Sequence, residues 1–320
     1  MIKIGILLTK QYKLLSLAAI LDVFETANKL HTNFGKNQPY SIDLLAFDKN
    51  EDNTFRQYSI KLIHSELDYD LVIIPAFTTE NLQEAISFNR QFIPWIQNQY
   101  SKGAEIATVC TGAFLLGASG LLNGKVATTH IDASDAFANA FPAVKLMANK
   151  TVTQDGRLFT SGGATSSFHL LLHLLKIHCG KDIAIKAAKI FAIDMDRNNQ
   201  LYFGSFLPLR IHNDDLVASA QEKIETNYQD ISTIEEMIKD IPSSRRNIVR
   251  RFKLVIGITP IAYLQRTRIE AAKKLLEQTA EQMSEVIFKS GYNDPKAFRK
   301  VFRKSVGMTP TEYRDKFRTR

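Results

Sequence analysis

The chain has 320 residues, 45% apolar and 23% charged, which excludes a disordered polymer and leaves room for two domains. Two cysteines exclude a disulfide framework, and no run of about 18 apolar residues is available to cross a membrane. The net charge of +8 is localised: residues 216–320 hold 21 Lys/Arg against 13 Asp/Glu, whereas residues 1–215 hold 20 of each. Charge segregated in this way points to a polyanion-binding module joined to a neutral one. The N-terminus shows no secretory signal pattern, so a cytoplasmic protein is expected.

In chain order, Lys3–Leu8 is a short continuous apolar run, the mark of a strand buried on both faces. Leu14–Leu30 has helical spacing, Tyr40–Phe47 alternates like a strand, and Asp70–Ala76 is a second buried strand. A largely helical stretch from residue 80 to 100, interrupted near Pro94, leads to a third buried strand at Ala104–Val109. Alternation of this kind predicts a parallel sheet covered on both faces. Asp155-Gly156 between two β-prone runs predicts a hairpin over 151–160. Apolar helices are expected over Ala164–Cys179 and Lys181–Ile193.

Cys110 stands where the third buried strand turns into a helix, in Val109-Cys110-Thr111-Gly112-Ala113. Unpaired N–H groups at such a turn favour a thiolate, and the place matches the nucleophile elbow of hydrolases. It is also where open α/β sheets bind ligands. Three readings follow: a pocket residue without turnover, a redox- or electrophile-sensing thiol, or a catalytic nucleophile. His169 and His173, four apart on one helix, lack a third ligand at useful spacing, so they read as core or pocket-lining residues and no metal or other cofactor is expected.

The runs ATVCTGAFLLGASGLLNGKVATTH, TSGGATSSFHLLLHLL and RNNQLYF resemble the PfpI-like branch of the class I glutamine amidotransferase-like superfamily. More narrowly, they resemble the amidase-like domain of GlxA-type transcription regulators. The resemblance implies a flavodoxin-like parallel-sheet sandwich over residues 1–205, with a pocket at Ser16, Cys110, Thr111 and His130. Ser16 stands where catalytic members carry Glu or Asp, and His169 stands where an acidic residue is common after the glycine-rich turn. A thiol without a carboxylate partner is a poor acyl-transfer nucleophile, so a sensing or dimerising domain is expected, with Cys110 a vestigial catalytic candidate.

After a linker at 206–215, the basic region reads as seven helices with an internal repeat. Arg246–Tyr263 and Lys296–Tyr313 align at a constant offset, pairing Arg246 with Lys296, Ile248 with Phe298, Arg250 with Lys300 and Phe252 with Phe302. Gly257-Ile258-Thr259-Pro260 likewise pairs with Gly307-Met308-Thr309-Pro310. Each copy is a helix with an apolar and a cationic side, stopped by glycine and followed by a Thr-Pro helix start. Ser244 and Asp294 are the expected N-caps. The helix between the copies would act as a rigid spacer.

The pattern S-x-R-x-I-x-R-x-F-K, G-I-T-P-x-x-Y-L, G-Y-N-D-x-x-x-F-x-K-x-F-R-K and G-M-T-P-x-x-Y-R resembles the AraC/XylS-type DNA-binding domain, here over 216–318. The resemblance implies two helix-turn-helix units on promoter DNA. Ser244, Arg245, Arg246, Asn247, Arg250, Lys296, Arg299, Lys300 and Arg303 are the candidate contact residues, some to bases and some to phosphates. The expected protein is a transcription regulator that binds double-stranded DNA as a homodimer, with a small-molecule effector and no membrane association. The rival is a cysteine-dependent amidase- or hydratase-like enzyme that a DNA-binding domain localises.

Overall fold

A computed structural model describes residues 1–48, 58–64, 66–78, 81–206, 212–231 and 233–318. The chain divides at Gln200/Leu201 into two compact units. Of the expected linker over 206–215, residues 207–211 lie outside the described residues.

The first unit is built on strands β1 (Ile2–Leu7), β2 (Tyr40–Ala46), β3 (Ser59–Leu62), β4 (Leu71–Ile74), β5 (Glu105–Thr108), β6 (Val126–Ala127), β7 (Lys145–Leu146), β8 (Val152–Asp155) and β9 (Leu158–Ser161). Seven of them form one sheet in the order β3-β2-β1-β4-β5-β9-β8. All neighbours in it are parallel except β8 and β9, the hairpin that ends the sheet. β6 and β7 pair separately. The helices of this unit are α1 (Leu14–Asn33), α2 (Leu82–Asn89), α3 (Phe92–Ser101), α4 (Ala113–Ala118), α5 (Ser134–Ala140), α6 (Ser166–Cys179) and α7 (Lys181–Ile190). α1, α6 and α7 pack on one face of the sheet, through Leu17, Ile20, Phe24, Leu171 and Ala187 against Ile4, Ile6, Ile73 and Val109. Helices α2 to α5 cover the other face, through Ala85, Ile96, Phe114 and Phe137 against Leu7, Val72, Ile74 and Ile106. Burial on both faces is why the central strands read as unbroken apolar runs.

Some details differ from the sequence reading, the short elements β6, β7 and α5 among them. The helix break falls at Arg90-Gln91 rather than at Pro94, which sits in the first turn of α3, where a missing N–H costs no helical hydrogen bond. The edge strand β3 was not expected, because SIKL is mostly exposed and lacks a buried alternation.

The second unit comprises α8 (Asp215–Asn227), α9 (Ile234–Ile238), α10 (Arg245–Ile256), α11 (Pro260–Gln278), α12 (Met283–Lys289), α13 (Pro295–Val306) and α14 (Pro310–Phe317). It has two cores, one per repeat. Ile248, Phe252 and Tyr263 centre the first, and Phe298, Phe302 and Tyr313 occupy the same repeat positions in the second. The repeat extends to polar chemistry. Tyr263 donates its buried hydroxyl to Glu225, and Tyr313 donates to Glu277 at 2.5 Å. Gly257 and Gly307 end α10 and α13 in left-handed conformations, at φ of 85° and 80°, where a side chain would be strained.

Phe302 is fully buried at the centre of the second core. Phe302→Ala should destabilise the helical unit by about 3–5 kcal/mol, read from its transition in urea. A loss below about 1 kcal/mol would show that this core is not packed as described.

Candidate functional site

In the first unit, β4 and β5 end side by side, and Cys110 follows β5 after the single residue Val109. Cys110 adopts φ of 55°, a left-handed conformation unusual for a residue with a side chain, and is 3% exposed. The close fit around it requires glycine at 112, where a Cβ would lie 2.6 Å from the Ile74 carbonyl oxygen. A cavity of about 190 Å³ opens beside the thiol, lined by Ser16, Cys110 and His130 together with Lys13, Ala164 and Phe168. Among the described residues, no Asp or Glu lines it.

Ser16 occupies the acid position with a neutral hydroxyl that accepts the Ala76 N–H at 2.9 Å. Thr111 faces elsewhere: its hydroxyl accepts from Phe77 N at 3.0 Å and donates to Phe77 O at 2.7 Å. His130 Nδ1 accepts the Asp132 N–H at 3.2 Å, which leaves Nε2 as the protonated nitrogen of the neutral ring. Burial pushes His130 below the usual imidazole range, with the Asp132 charge pulling the other way. Burial also pushes the Cys110 thiol up, although the backbone N–H groups of Ala164 and Thr111 and the Lys13 charge favour the thiolate. Desolvation therefore outweighs the pull of the helix terminus toward the thiolate.

Gln200 was not singled out in the sequence, although it stands inside RNNQLYF. It is the last residue of the first unit and is 2% exposed. Its Oε1 accepts from Gly163 N at 3.1 Å, and its Nε2 faces Thr129 O at 2.9 Å and Ala148 O at 3.0 Å. Thr129 donates in turn to Cys110 O at 3.1 Å. A Cβ on Gly162 would lie 2.0 Å from Gln200 Oε1, and one on Gly163 would lie 2.4 Å from the His130 ring. The glycine pair is thus explained by close packing of Gln200 and His130 on the turn behind the cavity.

In the second unit, Ser244 caps α10 by accepting Asn247 N at 3.3 Å, and Asp294 caps α13 by accepting Lys296 N at 2.8 Å. Arg245 pairs with Glu235 at 2.8 Å and Arg251 with Asp214 at 2.9 Å. Arg246 and Arg250 are exposed, with Arg250 also bonded to Asn247 Oδ1 at 3.2 Å. On α13, Lys296, Arg299, Lys300 and Arg303 are all exposed and lie three and four apart, so they form one stripe. Lys253 matches Arg303 in the repeat and is exposed on α10, which makes it a position that the sequence reading passed over.

Segment 201–206 crosses this unit. Tyr202 packs in the second core, and Phe206 lies 4.9 Å from the Tyr263 ring of the first. Between them, Lys273 of α11, 6% exposed, donates to Gly204 O at 2.6 Å and pairs with Glu270 at 2.8 Å.

Residues 3–177 match the DJ-1/PfpI family, more than half of the sequence. The chain belongs to the DJ-1/PfpI family. Residues 239–316 match a helix-turn-helix domain, here of AraC type. Similar curated proteins include the HTH-type transcriptional regulator GbdR of Pseudomonas aeruginosa, 27% identical over 235 residues, covering 71% of this chain and 62% of that protein. The HTH-type transcriptional regulator GlxA of Rhizobium meliloti is 25% identical over 215 residues, covering 66% of this chain and 65% of its own. Isonitrile hydratase of Pseudomonas putida is 37% identical over 97 residues, 30% of this chain and 41% of that enzyme. The chain thus spans less than two thirds of the length of these curated relatives. The described residues include no helix long and apolar enough to cross a membrane.

Because burial raises the Cys110 pKa, the thiolate that alkylates is scarce at neutral pH and grows as pH rises. Iodoacetamide labelling of Cys110, followed by mass spectrometry, should be slow near pH 7 and accelerate above about pH 9. Rapid labelling near pH 6 would show an activated thiolate instead.

Proposed function

We propose that this protein is a sequence-specific DNA-binding transcription regulator whose DJ-1/PfpI unit binds a small molecule without turning it over. The observation that carries the reading is the duplicated cationic face. The same helix, cap and glycine stop recur, each presenting exposed Lys and Arg at equivalent positions. A helix-turn-helix lays its second helix in the major groove, and two such units on one chain suit two successive grooves. Arg246, Arg250 and Asn247 are the candidates for base reading on α10, since Arg reads guanine and Asn reads adenine bidentately. Lys253 and the α13 stripe Lys296, Arg299, Lys300 and Arg303 supply phosphate contacts with a share of base reading. Ser244 acts by fixing the start of α10, and Arg245 by holding α9 through Glu235.

Absence of a carboxylate from the cavity lining, together with a raised thiol pKa, supports ligand binding over acyl transfer at Cys110. Gln200 supplies the coupling route. It grips the turns behind the cavity, and the residues joined directly to it, 201–206, are pinned on both helix-turn-helix cores. A ligand that shifts the Thr129 or Gly163 backbone would pull on that segment. A homodimer in the cytoplasm completes the reading.

The reading is tested by selecting bound fragments from genomic DNA and measuring affinity for the enriched sequence. Arg246→Ala should weaken binding to it by about 1–3 kcal/mol and relax preference at one base pair. Affinity of the unaltered protein should fall steeply with salt as Lys and Arg displace counterions. Selection of no sequence, or salt-insensitive binding, would refute the reading; so would efficient hydratase or amidase turnover lost in Cys110→Ala.

A further inference from the structure

The DJ-1/PfpI unit has a second, larger concavity of about 470 Å³, which shares no lining residue with the Cys110 cavity. Its size falls in the range of small-molecule sites. One wall is a face of α6, where His169, Leu172, His173 and Lys176 are spaced three, one and three apart. β8 is the last strand of the sheet, so no further strand covers this part of α6. Val152 and Thr151 line the floor, and the run 195–198 lines the opposite side with Met195, Arg197 and Asn198.

The chemistry of the lining is one-sided. Among the described residues, it contains Lys150, Lys176 and Arg197 and no Asp or Glu. Neither Lys150 nor Lys176 has an ion-pair partner among the described residues. Arg197 is held in place by the hydroxyls of Thr165 at 2.9 Å and Ser166 at 3.0 Å. Burial pushes both histidines below their usual range, and the nearby cations Arg197 and Lys176 push His169 and His173 further the same way, while bonds to the Asp194 and Thr165 carbonyls and the Asp194 charge pull His169 back. An independent feature lies at the floor: Thr151, 2% exposed, has a hydroxyl with no hydrogen-bond partner. A buried hydroxyl left unpaired costs free energy unless something else completes it. Met147 and Met195 on the rim are exposed, and thioethers adapt to varied apolar shapes.

We propose that this groove is a second ligand site, taking a small organic anion with a short aliphatic body. The carboxylate sits among Lys150, Lys176 and Arg197 through charge-assisted hydrogen bonds. The aliphatic body lies on Leu172, Val152 and the two methionines. The wall at 195–198 ends two residues before Gln200, so an occupant bears on the segment that closes the unit. The site stands or falls independently of the DNA-binding reading.

Isothermal titration calorimetry of the full chain with hexanoate tests the proposal, with hexanol as the neutral probe of the same body. Hexanoate should bind saturably, and hexanol at least about tenfold more weakly. The double variant Lys150→Gln/Lys176→Gln alters two exposed side chains and should weaken hexanoate by about tenfold or more while retaining its melting temperature. Leu15→Glu, which places an acid beside the Cys110 cavity, should leave hexanoate binding intact. Absent hexanoate binding would overturn the proposal, as would equal binding of hexanol. Loss in Leu15→Glu with retention in the lysine pair would do the same, because it would assign the heat to the other cavity.

Discussion

Much of this molecule depends on one buried amide. Gln200 is the last residue of the α/β unit, and a primary amide removed from water is costly unless both its ends are satisfied. Here the oxygen takes the Gly163 N–H and the nitrogen serves carbonyls on two further segments. Those segments are not incidental. One carries Thr129, bonded to the Cys110 carbonyl, and the other carries Ala148, while the glycine turn on which His130 lies donates to the oxygen. The same residue therefore closes the unit, shapes the back of the cavity and fixes the point at which the chain leaves. Gly162 and Gly163 are the steric counterpart, since any side chain at either would collide with Gln200 or His130.

The helical unit is organised by duplication. Each copy spends its apolar side on an aromatic core and its tyrosine hydroxyl on a glutamate, leaving the cationic side to solvent. α11 carries cationic side chains to both ends of this arrangement. Arg268 donates to the Tyr228 carbonyl at 2.7 Å and the Ile231 carbonyl at 2.8 Å, near the first repeat, while its charge lies over the Tyr292 ring of the second. Lys273 binds the segment 201–206. Lys273 is buried and Arg268 half-buried, and both are positioned by oxygen acceptors rather than by solvent, which makes them structural. The division of labour among Lys and Arg follows: those with backbone-carbonyl or carboxylate partners hold the fold, and those on the α10 and α13 faces stay exposed.

Sequence made much of this legible, for identifiable reasons. Buried parallel strands leave unbroken apolar runs, and glycine stops, Thr-Pro starts and Ser or Asp caps are local signals that need no tertiary context. The repeat exposed the two cores directly, and its strict offset also contained Lys253, which was passed over. Other features depend on what folds around a residue. The thiol at Cys110 looked activated from its place at a helix start, but burial raises its pKa. Gln200 was visible only as part of a motif, because its role depends on carbonyls some 50 to 70 residues away. The groove beside α6 is invisible in sequence, since an exposed helix face and a covered one have the same periodicity. Strand β3 was missed because an exposed edge carries no apolar alternation.

The central claim is that one chain presents two recognition helices to DNA. Hydroxyl-radical footprinting on the enriched sequence tests it most directly. The account predicts two protected windows per chain, separated by about one helical turn of roughly 10 base pairs. In a chain bearing Lys296→Ala, Arg299→Ala, Lys300→Ala and Arg303→Ala, only one of those windows should fade. A single window per chain in the unaltered protein, or an unchanged footprint after the α13 stripe is removed, would contradict it.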